Sequence, residues 1–174
     1  ALFDILRQSG AAVEAELYGL FSTAINRAEY ANAQRQLQHI RPDLLVRSQG
    51  GQSRPWLGDV KCIYISQKQA NKYMTAARDR RCHTVALRSD QVDRNYRKSA
   101  QDADRQFNGT LEGVVGPVER RLDDYPPAVR GLVFGSFFEA SPAVEQVVQE
   151  AAQGAAKLNW QDFTGSNVVV ATGY

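Results

Sequence analysis

IRPDLLV (residues 40–46) and WLGDVKCIYI (residues 56–65) decide the fold of this chain. Each run is short and rich in Val, Ile, Leu, Trp and Tyr, which reads as a buried strand. Between them lies RSQGGQSRP (residues 47–55), a turn segment of Gly, Ser and Gln closed by Pro55. Two strands joined by such a turn form a hairpin, and pairing them sets Asp43 beside Asp59. Asp59 and Lys61 are two residues apart, so both side chains leave the same face of their strand. An ionised aspartate inside an apolar strand needs a partner, because desolvating unpaired charge is costly. The candidates for that partner are Lys61 and a divalent cation. A hard cation such as Mg²⁺ takes oxygen ligands and needs only one or two protein carboxylates plus water. With a lysine at hand for water or for phosphate charge, these groups suit metal-assisted phosphodiester hydrolysis.

Pro42-Asp43 followed by Asp59-Val60-Lys61 resembles the signature of the PD-(D/E)xK nuclease superfamily. Gly10-Ala-Ala-Val-Glu14 is similar to the GxxxE that one branch carries on its first helix. Gln69-Ala-Asn-Lys-Tyr73 is similar to the QxxxY that the same branch carries after the lysine strand. The resemblance spans roughly residues 10 to 75, and the rest of the chain faintly resembles nuclease segments of viral or mobile elements. It implies an α/β chain of restriction-endonuclease-like fold, a central mixed β-sheet flanked by helices. It further implies a Mg²⁺- or Mn²⁺-dependent endonuclease. Asp43, Asp59, Glu14 and the backbone carbonyl of Val60 would hold the metal, and Lys61 would serve the attacking water. Gln69 and Tyr73, with Lys68, Lys72, Arg78, Arg80 and Arg81, would hold the nucleic acid, DNA in preference to RNA. An RNA endonuclease of the same fold is one alternative, and a non-catalytic nucleic-acid-binding or assembly module that keeps the fold is the alternative of a different class.

Charge is segregated along the chain. Residues 68–98 hold nine basic residues against three acidic ones, a net of +6 in a chain whose total is +2. A basic stripe beside a carboxylate site is what a phosphate backbone selects. The stretch reads as helix, with Val85, Val92, Tyr96, Ala100, Ala103 and Phe107 as its inner face, and Asn108-Gly109 ends it. Upstream, Val13, Leu17, Leu20, Phe21, Ala24 and Ile25 recur at helical spacing. A first helix there would turn Glu14 toward the core edge and Glu16 toward solvent. His39 reads as solvated or hydrogen-bonded, and His83 as a surface residue.

Farther on, Gly116-Pro117 opens a short helix with Pro in its first turn, and Gly131–Gly135 reads as a central strand. Ser141-Pro142 opens another helix, Ser as N-cap and Pro at N1, running to about Lys157. Glu139, just after the strand, lies where it could approach the site. The Val168–Ala171 run, in a tail of residues 158–174, reads as an edge strand or as a segment that pairs with another chain.

A chain of 174 residues supports one core. It carries no phosphate-binding glycine loop and no GxSxG elbow, and two distant histidines make no zinc site. Cys62 and Cys82 form neither a disulfide framework nor a zinc pattern, and read as reduced thiols, with Cys62 pointing into packing. No run has the length of a membrane span or the form of a signal peptide, so an intracellular protein without membrane contact is expected. The start at Ala1 is compatible with a removed upstream segment or with fusion to a larger replication or mobile-element protein. A nuclease that cuts both strands further suggests a homodimer.

Overall fold

The computed structural model describes residues 2–15, 17, 19–48, 54–63, 77–126 and 128–171, with the backbone alone beyond residue 159. Helix α1 (Leu2–Gln8) leads into strand β1 (Ala11–Ala15), and helix α2 (Tyr30–Leu37) and a 3₁₀ turn (Gln38–Ile40) follow. The hairpin strands are β2 (Leu44–Ser48) and β3 (Trp56–Cys62). The long helix α3 (Arg78–Phe107) and the short α4 (Pro117–Asp123) cross over to β4 (Val129–Phe134), and α5 (Pro142–Ala171) closes the chain.

The four strands form one mixed sheet in the order β1-β2-β3-β4, antiparallel between the first three and parallel between β3 and β4. Each face of this sheet carries its own apolar cluster. On one face, Leu45, Leu57 and Val129 meet the inner face of α3 through Val92, Tyr96, Ala100, Ala103 and Phe107. On the other, Leu44, Val46, Trp56 and Leu132 meet Leu6 of α1 and Val144, Val147 and Ala151 of α5. The alternation along β2 and β3 assigns these residues to opposite faces, and it sends Asp59 and Lys61 to the α3 side. That helix lies very close to β4. A Cβ on Gly131 would stand 2.6 Å from the Ser89 carbonyl oxygen, so only glycine fits. The Ser89 hydroxyl donates to the Gly131 carbonyl at 2.6 Å.

Several expectations are met. The hairpin forms in the expected pairing, with Leu44 opposite Gly58 and Val46 opposite Trp56. All six residues of the expected inner face of the basic helix are buried. Gly109 follows α3 with φ +64°, and Pro117 opens α4.

Others are corrected. Residues 11–15 are a strand rather than part of a first helix. Gly10, at φ +80°, ends α1 with its N–H on the Arg7 carbonyl, a left-handed helix stop. The chain therefore leaves Gly10 extended and pairs Val13 with Val46. Among the described residues, Gly131–Phe134 belongs to an edge strand of this sheet, not a central one. Both faces of β4 are covered by helices, which explains its apolar composition without a second strand neighbour. The Ser141 hydroxyl accepts from the Val133 N–H and donates to the Gly131 carbonyl, so it serves β4 rather than capping α5. Residues 168–171 continue α5 and form no edge strand. Cys62 is exposed rather than packed, since it ends β3 beyond the cover of the helices. Among the described residues, no helix is long and apolar enough to cross a membrane.

Candidate metal centre and nucleic-acid surface

Pro42 shapes the entry to β2. A residue before proline is kept out of helical backbone, and Arg41 accordingly has φ −108° and ψ 102°, ending the 3₁₀ turn. The chain straightens there and delivers Asp43 one residue before the β2 ladder. Since Leu44 faces Gly58, continuing the register sets Asp43 opposite Asp59. The Asp43 Oδ2 accepts the N–H of Val60 at 2.7 Å, which ties the first acid to the strand of the second. Val60 thus meets the site through its amide in this structure.

Asp59 lies at the bottom of the site, 2% exposed. Lys61 stands at its mouth, with 59% of its side chain exposed. Its Nζ donates to Asp59 Oδ1 at 3.1 Å and forms an ion pair with Oδ2 at 2.9 Å. That second contact lacks hydrogen-bond alignment, and among the described residues Oδ2 accepts no hydrogen bond although it is buried. From α3, the Tyr96 hydroxyl lies 3.0 Å from Asp59 Oδ1 and 2.8 Å from the Arg41 carbonyl oxygen. Burial drives the Tyr96 pKa far above its ordinary value, and the charge of Asp59 and its hydrogen bond to the phenol push it further. The phenol stays protonated at any physiological pH.

Tyr96 is the site residue that sequence reasoning missed. It was legible only as part of an apolar helix face. A buried phenol needs a hydrogen-bond partner and a buried carboxylate needs a donor, and those two requirements are the only sequence signal that could have joined them.

Glu14 pairs in register with Leu45, so it shares the face of Asp43 and Asp59. Its Oε1 lies 3.1 Å from Arg47 Nε in a half-exposed ion pair. Among the described residues, no group of three or more His, Cys, Asp or Glu is gathered for a metal ion. The structure thus brings Asp43, Asp59 and Lys61 together and leaves Glu14 with Arg47. The donor set that does assemble fits a hard divalent cation: two carboxylates, one with a buried oxygen that accepts no hydrogen bond, and a lysine exposed enough to swing aside.

The basic residues divide in the same way. Arg78 and Arg80 are exposed in the first turn of α3. Arg81 is half-buried, held 2.5 Å from Glu139 Oε1 and stacked 5.1 Å from the Phe137 ring centroid. Glu139 is thus engaged by Arg81. Burial alone would raise its pKa, but hydrogen bonds from Arg81 and the Phe137 amide outweigh that and bring it below the usual range. The turn after β4 holds Phe137 and the fully exposed Phe138 at the end of the sheet where Lys61 stands. Arg88, Arg94 and Lys98 are exposed farther along α3, and His83 is exposed near its start. Lys68, Gln69, Lys72 and Tyr73 lie outside the described residues, as does the His39 side chain.

Compared with family models, with curated proteins and with solved structures, the chain matches none of them.

Proposed function

We propose that this chain is a divalent-cation-dependent phosphodiesterase of the restriction-endonuclease-like kind, with DNA as its first substrate. The observation that carries the reading is the hairpin, which presents a buried Asp59 and an exposed Lys61 on one face and sets Asp43 across from them. The mixed four-stranded sheet with helices on both faces supports the fold half of the reading.

In this mechanism Asp43 and Asp59 would hold Mg²⁺ or Mn²⁺, which would supply charge stabilisation at the scissile phosphate and a more acidic water. Lys61 releases the Asp59 carboxylate and turns its ammonium toward the attacking water or a phosphate oxygen. Glu14 joins the shell only by leaving Arg47. Arg78 and Arg80 bind backbone phosphates, and Phe138 offers a ring on which a base can stack. Lys68, Gln69, Lys72 and Tyr73 complete the strand contacts in this reading.

The test is a plasmid-nicking assay with Mg²⁺ or Mn²⁺, run beside single-stranded RNA. Wild-type protein nicks the plasmid. Asp59→Ala lowers the rate about a thousandfold or more while retaining binding. Equal activity in the variant defeats the assignment. Because the Lys61 ammonium already neutralises Asp59, a non-catalytic nucleic-acid-binding module is the second reading. It predicts no heat of Mn²⁺ binding in calorimetry.

A further inference from the structure

Asp43 sits outside the β-ladder, which begins at Leu44. Two ties between its segment and the rest of the site bear on the position of Asp43. One is the Val60 N–H on its own carboxylate. The other runs through the preceding residues, where the Tyr96 hydroxyl reaches the Arg41 carbonyl two positions upstream. That same hydroxyl reaches Asp59 Oδ1. A phenol has one proton to donate, and both neighbours are acceptors, a carbonyl and a carboxylate. One O–H therefore serves two acceptors, one on the segment of each acid.

We propose that Tyr96 is the positioning residue of the site, clamping the Arg41-Pro42-Asp43 segment against Asp59, and that this clamp tightens when a cation takes the charge of Asp59. The second half rests on the cation reading above; the first does not. With Asp59 offset only by the exposed Lys61 ammonium, the shared O–H is drawn toward the carboxylate and the Arg41 bond is weakened. A cation on Asp59 reduces that pull, and the O–H turns to Arg41. Asp43 is thereby held closer to the position from which it can share the ion. Pro42 makes the link effective, because its fixed φ transmits the anchoring of Arg41 to Asp43 with little slack. Residues that orient ligand-bearing segments commonly change metal affinity ten- to a hundredfold (about that range) when lost.

Tyr96→Phe keeps the ring in the core and removes only the hydroxyl, so it tests the clamp without a cavity. The first readout needs no metal. Amide exchange of Val60, whose N–H is bound to Asp43, should quicken about tenfold in the variant, the value of one lost hydrogen bond. The buried Val147 amide on the opposite side of the sheet should not change. A merely structural role would raise both together, and that result, or an unchanged Val60, overturns the clamp. The second readout is Mn²⁺ calorimetry, where the variant should bind about tenfold more weakly than wild type. Equal affinity overturns the coupling. Should wild type take up no Mn²⁺, the cation reading and the coupling both fall, while Val60 exchange still decides the clamp.

Discussion

Asp59 and Asp104 are almost equally buried, at 2% and 1% exposure, yet they are neutralised in opposite ways. Asp104 projects from α3 onto the start of α4. Its Oδ1 accepts the Val118 N–H at 3.0 Å and the Asn108 amide at 2.7 Å, and its Oδ2 accepts the Glu119 N–H at 2.9 Å. Two of those donors are backbone groups that cannot leave. The carboxylate caps the first turn of α4, where the orphan N–H groups and the helix dipole favour a negative charge. Gly116 leaves the space it needs, since a Cβ there would stand 2.2 Å from Asp104 Cγ. Asp59 is served instead by side chains alone among the described residues: a phenol shared with another acceptor and a lysine half in water. Burial does not distinguish an acid with fixed partners from one held only by movable side chains. What separates them is whether the donors are fixed, and whether an oxygen is left for something else.

The largest expected effect follows from that difference. Asp104→Ala strands two buried backbone donors and should cost about 3–4 kcal/mol, a large share of a typical domain's stability. Asp59→Asn should change stability by no more than about 1 kcal/mol, since breaking an ion pair with an exposed lysine costs little and functional acids are often destabilising. On the proposed nuclease reading, the same Asn variant should lose cleavage. Paired chemical denaturation curves check this, and an unfolded Asp59→Asn beside a stable Asp104→Ala would reverse the comparison.

A smaller effect sharpens it at a third acid. Glu139 has fixed partners in Arg81 and the Phe137 amide, so it belongs with Asp104. Its folded pKa lies below the ordinary 4.5. Its contribution is therefore fully present above pH 4.5 and is lost as pH falls through the folded value. Wild type should exceed Glu139→Gln in melting temperature near neutrality, with the gap narrowing below pH 4.5. A gap that widens on acidification contradicts the assigned sign.

The hairpin and its acids were legible because a two-residue period and a Gly-rich turn specify pairing and face together. Val85 to Phe107 were legible because a long helix repeats its apolar positions many times. Ala11–Ala15 was not, since alanine favours helix and its spacing with Leu17 and Leu20 matches a helical face. Only Gly10 carries the stop signal, and the same glycine read as part of a nuclease motif. The position of β4 in the sheet was hidden because an apolar strand covered on both faces looks the same at an edge or in the centre. The Val168–Ala171 run shows β-branched residues accepted into a helix, where their disfavour is slight. Tyr96 was placed correctly but its hydroxyl was not, because that contact depends on how α3 crosses β3.

The central claim is that Asp43 and Asp59 share one divalent ion. Crystals soaked in Mn²⁺ and measured for anomalous scattering test it most directly. The account predicts a single strong peak in coordination distance of Asp59 Oδ2 and an Asp43 carboxylate oxygen, with Lys61 swung away and Glu14 still on Arg47. An empty map between the two acids, with Lys61 still seated on Asp59, would contradict it.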